Sequence, residues 1–423
     1  MIKKTISTFK KLQKSMMFAM STFLVGGLNA LTLPIFTRLL SKADYGILSV
    51  TSSFQTISAS IFRLGTHQSV LKQYLEINEK EKKNYFFSVV VFSIIWSFLL
   101  IIFTLILSFF GLFNSFEGIN FYPYILLSFL TASFATGYAL FQSELRIRNL
   151  AKQYVILTVF YVILSIVLSI VLIYYFKLGV IGKLLGNLIP YGIVLFYMIT
   201  VKRARLKIAY WYDAIKFGFP LSLSSLFSSF IMIYAIGILT QKLTLSDLGV
   251  YQMTKNLGLL LPDILFQAVT LTYLPFLYRS FKDKSIIEIT KTNSRLILFF
   301  AFALFVIMLM SPYIILLFTT SDYLSGVDLM RIFVMSFFFK IVHYVPMIEL
   351  YHRGKTTLIS IIEILSLVIF LIIIHFSIDI YGLSGVGIAY IVQEIFKTIW
   401  YIIYSNLHVK EIFNFYSLNL RSK

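Results

Sequence analysis

The chain has 423 residues, 59% of them hydrophobic and only 13% charged, with a mean hydropathy of +0.87. Soluble domains run at about 45–50% apolar and about 25% charged, so a water-soluble globule is excluded, and the low charge also excludes a disordered chain. Cysteine is absent, which removes disulfides, thiolate metal sites and a Cys nucleophile, and the net charge of +19 reads as the Lys and Arg excess of membrane-protein inner loops rather than as a nucleic-acid surface.

A helical span needs about 20 apolar residues. Taken in chain order, the apolar runs predict twelve spans, over 15–37, 46–70, 86–108, 121–143, 154–176, 180–200, 218–239, 248–276, 294–318, 329–349, 356–376 and 383–404. The start, Met1-Ile-Lys-Lys with Lys10, Lys11 and Lys14, has the polarity of a signal peptide. Its apolar run is too long, however, and no small-x-small cleavage site follows, so it predicts a retained first helix with the N-terminus inside. On that orientation the inner segments hold about 27 Lys and Arg and the outer loops about four (Arg38, Lys42, Lys177 and Lys242), which places both termini in the cytoplasm. The segment from Val201 to Gly218 carries a basic face and Tyr210, Trp211 and Tyr212. It predicts a helix on the inner surface, anchored by aromatic rings at headgroup level. The expected organisation is an N-terminal six-helix lobe over 1–200, an interfacial linker helix over 201–217 and a C-terminal six-helix lobe over 218–423.

The halves echo one another. Leu40-Ser-Lys-Ala-Asp44-Tyr-Gly46-Ile returns as Leu243-Thr-Leu-Ser-Asp247-Leu-Gly249-Val, and Gly179-Val-Ile-Gly182 returns at the same offset as Gly382-Leu-Ser-Gly385. Ser143-Glu144-Leu145 is echoed more weakly by Ile348-Glu349-Leu350. Six spans separate the copies, so both halves enter the membrane in one orientation. This predicts two parallel six-helix bundles around a central cavity, the layout of alternating access. Gly46 and Gly249 are expected to permit a tight outer turn, with Asp44 and Asp247 capping the next helix.

Six basic residues fall within spans: Arg63, Lys183, Lys255, Arg331, Lys340 and Lys397; three acidic ones join them: Asp263, Glu363 and Glu394. A charge in the bilayer is costly and by default marks a pathway. Lys183 and Arg331 lie close enough to the outer interface to snorkel. Lys397 stands three residues after Glu394, on one helical face with it, and Asp263 is within two turns of Lys255. Arg63, Lys255 and Lys340, the last with His343 on its face, are the candidates for a shared cavity. The excess of positive charge suits a phosphorylated or carboxylated cargo. Asp263, Glu363 and Glu394 are the candidates for coupling to H⁺ or Na⁺. There is no Walker loop and no His-Glu-x-x-His, and the outer loops are short, so neither an ATPase engine nor an enzyme is expected.

The stretch Leu33-Pro-Ile-Phe-Thr-Arg38-Leu-Leu-Ser-Lys-Ala-Asp44-Tyr-Gly46 resembles the opening motif of the polysaccharide transporter family. These are O-antigen and capsule flippases of the Wzx type, in the multidrug/oligosaccharidyl-lipid/polysaccharide superfamily, and the likeness in organisation covers the whole chain. It implies translocation of an undecaprenyl-diphosphate-linked oligosaccharide from the inner to the outer leaflet of the bacterial cytoplasmic membrane, without a cofactor, beside a polysaccharide polymerase and a chain-length regulator. By helix position it implies that Arg38, Arg63 and Lys255 face the diphosphate or acidic sugars. Two relatives of the superfamily compete. A multidrug antiporter needs cavity carboxylates that span one lacks, and peptidoglycan-precursor flippases usually carry two further C-terminal spans.

Overall fold

Two capping boxes start equivalent helices and explain the stronger sequence echo. Ser41 Oγ accepts from the Asp44 amide at 3.2 Å while Asp44 Oδ2 accepts from the Ser41 amide at 2.9 Å. Thr244 Oγ1 and Asp247 repeat the exchange at 3.1 and 3.3 Å. Each box satisfies amides that the first helical turn leaves without partners. The cap is therefore the hydroxyl residue, and the helices begin at Lys42 and Leu245. Gly46 and Gly249 lie inside them, which corrects the expected glycine turn.

The chain is seen in a computed structural model that describes residues 17, 24–28, 30–111, 119–283, 285–407 and 412. The N-terminal lysines Lys3, Lys4, Lys10, Lys11 and Lys14, the start of the first predicted span, Lys284, and the C-terminal Lys410, Arg421 and Lys423 lie outside the described residues. The helices are α1 (Leu24–Leu39), α2 (Lys42–Arg63), α3 (Thr66–Glu76), α4 (Glu79–Phe109), α5 (Leu126–Ile147), α6 (Ala151–Tyr174), α7 (Gly179–Val201), α8 (Ala209–Lys242), α9 (Leu245–Lys282), α10 (Ile286–Phe318), α11 (Val327–His352), α12 (Thr356–Tyr381) and α13 (Leu383–Tyr404).

Over the described residues the predicted spans fall on helix, except that 46–70 is broken at Leu64 and Gly65 between α2 and α3 and 154–176 runs two residues past α6, and the count of twelve needs correction. Among those residues nine helices are long and apolar enough to cross a membrane, or ten with α9, whose parts Leu245–Thr270 and Tyr273–Lys282 meet at 48°. Helix α1 is short over its described length. Helix α2 is rich in Ser and Thr; Thr51, Ser53, Thr56 and Ser60 donate to carbonyls one turn back, which hides their polarity from the neighbours but not from a hydropathy sum. The nine qualifying helices turn large apolar side chains outward, such as Leu99, Ile102 and Phe103 of α4 and Phe302, Phe305 and Leu309 of α10. In water that would be a liability; facing lipid it is the expected surface. The chain is an all-helical, multi-span membrane protein.

The chain divides into two compact units, Met1–Gln241 and Lys242–Lys423. Both contain a close helical hairpin, α6–α7 and α12–α13. A Cβ on Gly182 would stand 3.0–3.1 Å from the Leu172–Ile173 backbone, and one on Gly385 2.3 Å from the Ser377 carbonyl oxygen. That is the function of the second echo: small residues let the backbones approach where apolar burial gives no drive in lipid.

The segment 201–217 is not a separate linker helix. It comprises the end of α7, an irregular stretch over 203–207 and the first turns of α8. Those turns are bound to the rest of unit 1. Lys207 Nζ and Tyr210 Oη both donate to Glu81 Oε2 at 2.8 Å, and this carboxylate raises the Lys207 pKa above its usual value through the hydrogen bond. The Tyr210 ring meets Tyr85 edge-on at 5.2 Å, Trp211 packs on Phe92, and a Cβ on Gly65 would lie 2.1 Å from the Gly218 carbonyl oxygen. These contacts hold the start of α8 within unit 1.

Candidate functional site

Each in-span charge is placed by the helix it rides on and by what packs beside it. In unit 2 the pairing differs from the sequence expectation. Asp263 is eight residues from Lys255 on α9, a rise of about 12 Å, too far for a contact. Lys340 reaches it instead from α11, with Nζ 2.9 Å from Asp263 Oδ1. Gln267 donates to the other carboxylate oxygen. The Lys340 ammonium also lies over the Phe337 ring at 4.7 Å.

Lys397 of α13 sits between two carboxylates, 2.7 Å from Glu394 and 3.4 Å from Glu363 of α12. Tyr401 Oη donates to Glu363 at 2.7 Å. His343 does not join Lys340. Its Nδ1 is 3.1 Å from Thr398 Oγ1 and 3.9 Å from Glu394 Oε2, and its ring packs on Tyr401. Arg331 is bound near the start of α11 by Asp328 at 3.0 Å and Ser311 at 3.1 Å. Three of the six in-span cations are therefore neutralised by carboxylates, which reduces the expected positive excess.

Arg63, Lys183 and Lys255 have no carboxylate within 4 Å among the described residues. Lys255 donates to Tyr251 Oη at 3.2 Å and lies 4.9 Å from the centre of the Tyr390 ring. Lys183 stands 3.9 Å over the Phe36 ring, with Ser169 at 3.5 Å. Arg63, half-buried at the end of α2, donates from Nε to the Ala59 carbonyl at 2.8 Å, which leaves its two Nη groups for another acceptor. Rings and hydroxyls stabilise an ammonium or guanidinium without cancelling its charge, so these three keep a positive field. Arg38, proposed by helix position, is exposed and donates to the Pro34 carbonyl of its own helix. Arg63 belongs to unit 1 and Lys255 to unit 2. Within unit 2, Lys255 and Lys340 share no hydrogen-bonding or ring partner.

Sequence reasoning passed over Glu144. It is 2% exposed, and its Oε1 accepts from Tyr74 Oη at 3.0 Å, Arg148 Nη1 at 3.1 Å and Lys202 Nζ at 2.8 Å. Its echo Glu349 is also buried and takes Arg353 at 3.4 Å, four residues on, as Arg148 is from Glu144. The weak third repeat was the available signal. No group of three His, Cys, Asp or Glu arranged to hold a metal ion occurs among the described residues.

The fold has solved counterparts. Over 95% of this chain and 89% of the other, it is similar to the lipid II flippase MurJ in an inward closed conformation, with a TM-score of 0.72 at 18% identity. It is similar to an inward-facing multidrug resistance MATE family transporter of the MOP superfamily over 88% and 92%, with a TM-score of 0.64 at 17% identity. It also matches the Vibrio cholerae MATE transporter VcmN in its bent form over 93% and 97%, with a TM-score of 0.53 at 15% identity. No curated protein matches the sequence. The family profile described as "Polysaccharide biosynthesis protein" covers residues 35–328. The chain belongs to the polysaccharide biosynthesis protein family, and its fold is similar to that of these MOP superfamily and MurJ transporters.

Proposed function

We propose that the chain is a flippase carrying undecaprenyl-diphosphate-linked oligosaccharide repeat units, of O-antigen or capsule, from the inner to the outer leaflet of a bacterial cytoplasmic membrane. The observation that carries this reading is that Arg63 and Lys255, two of the three in-span cations without carboxylate neighbours among the described residues, keep their charge in a chain of a polysaccharide biosynthesis family. A diphosphate and its sugars cannot cross hydrocarbon, where each unsatisfied polar group costs several kcal/mol. A guanidinium and an ammonium held by rings and carbonyls offer the diphosphate the donors that water would otherwise supply.

The proposed route is alternating access, with both termini cytoplasmic. A polymerase and a chain-length regulator would receive the product. With the interior negative, carrying two negative charges outward is favoured by about 4–5 kcal/mol at 100 mV, so the potential supplies direction. Ion coupling through Asp263, Glu363 or Glu394 has to displace the lysine that each already binds.

Lys340 now reads as the counter-charge of Asp263 and Arg38 as a helix-end residue, which leaves Arg63 in unit 1 and Lys255 in unit 2 as separate candidates for meeting the anion. In the native host, Arg63→Gln and Lys255→Gln should each abolish surface glycan at normal membrane levels of the protein, with lipid-linked repeat units accumulating on the inner leaflet. Unaltered export in both variants removes the pair from the site. The TM-score of 0.72 to a lipid II flippase favours one second reading, a peptidoglycan-precursor lipid as cargo. Accumulation of that lipid, with surface glycan intact, on loss of the chain would establish it.

A further inference from the structure

Apart from the in-span charges, unit 1 holds a cavity of about 570 Å³ at the end where α4 begins and α5 and α7 end. Four cations line it, Lys82, Lys83, Arg148 and Lys202, against two carboxylates, Glu79 and Glu144. Two positive charges are left over.

The cations are held in advance. Buried Glu144 spends a single oxygen on Arg148, Lys202 and the Tyr74 hydroxyl, which fixes those groups while leaving most of their N–H donors unused. Lys82 is bound by Glu79 and lies 5.3 Å over the Tyr74 ring. The Lys82 and Lys202 side chains are only 17% and 18% exposed. Lys83, exposed, has no carboxylate within 4 Å among the described residues. A shaped cavity with charged walls already oriented binds an anion at little ordering cost.

The surroundings select the kind of anion. Val201 lines the cavity, and it continues the outward apolar face of α7 formed by Ile193, Phe196 and Tyr197, exposed by 44–72%. A ligand seated here has a cationic cup for a phosphate and an adjoining apolar strip for hydrocarbon. Basic pockets between spans at the headgroup level take lipid phosphates in this way. We propose that this cavity is a binding site for the phosphate headgroup of an anionic bilayer phospholipid, distinct from Arg63 and from any transported cargo.

The test uses the purified full-length chain in detergent, with no glycan substrate, and follows thermal stabilisation and native mass spectrometry. The probes are dioctanoyl phosphatidylglycerol, dioctanoyl phosphatidylcholine and inorganic phosphate. The variants are Lys83→Gln, Lys202→Gln and, as a control of equal charge outside the cavity, Arg203→Gln. Phosphatidylglycerol should bind in preference to phosphatidylcholine, with about fivefold weaker binding for each cavity lysine removed and none lost in Arg203→Gln. Lys202→Gln also disturbs Glu144, so Lys83→Gln, which breaks no ion pair, decides the matter if the former fails to fold. Equal affinity for both lipids, equal loss in the control, or full competition by inorganic phosphate at the same concentration each overturns the proposal, the last by assigning the cavity to a soluble anion. Because no cargo is present, these outcomes are independent of whether the chain is a flippase.

Discussion

Lys397 is the residue at which cost and purpose are most sharply opposed. Its side chain is 12% exposed, and it satisfies two carboxylates at once. Taking one member from a buried ion pair leaves the partner charged and unsolvated, a loss of about 3–5 kcal/mol. Lys397→Met should therefore lower the unfolding temperature in detergent substantially, and the triple change Glu363→Gln/Glu394→Gln/Lys397→Met should recover most of the loss, because no buried charge is then stranded. If the triple variant is no more stable than the single, the network is not held by mutual neutralisation. The Glu394–Lys397 contact was legible in the sequence because three residues along a helix fix a shared face. The Lys340–Asp263 contact was not: it joins α9 to α11, and no spacing along one chain segment encodes which helices pack together. Glu144 escaped for the same reason, its partners coming from α3 and from the residues that follow α5 and α7.

At the level of elements, glycine decides how closely helices meet. Gly65 has φ +70° and its missing Cβ is the space occupied by the Gly218 carbonyl. Gly65→Ala then combines a strained backbone with a backbone clash, neither of which a flexible side chain can relieve. It should destabilise by about 2–3 kcal/mol and loosen the start of α8, read as faster amide exchange over 209–217. Protection unchanged from the parent would show that α8 docks through Tyr210 and Trp211 instead. Sequence alone marked the aromatic residues of this segment as membrane anchors, because Tyr and Trp frequent the interface. It could not show that Tyr210 and Trp211 face Tyr85 and Phe92, since a half-buried ring and an anchoring ring look the same in composition. Helix existence, by contrast, was readable almost throughout, because an apolar run of about 20 residues has few other uses.

For the whole molecule, the distribution of Lys and Arg sets the expected orientation. A reporter fused after Lys83 or Arg205 should register the cytoplasm, and one after Glu117, which lies outside the described residues, the outer face. The reverse pattern would overturn the orientation, and with it the direction of transport proposed here. Composition excluded a soluble protein at once, yet it overstated how many helices meet a strict span criterion, because α2 hides its hydroxyls in its own backbone and α9 is bent.

The matched caps, Ser41 with Asp44 and Thr244 with Asp247, and the matched hairpin glycines Gly182 and Gly385 are the marks of a segment copied and fused to itself. The copies kept their scaffolding and lost parity in charge: 203 residues before Asp263, Glu363, Glu394 and Lys397 stand Ser60, Phe160, Tyr191 and Val194. Ancestry preserved what positions the helices, while the in-span carboxylates Asp263, Glu363 and Glu394 belong to the later copy. A chimera built from two earlier copies would inherit the framework without those carboxylates.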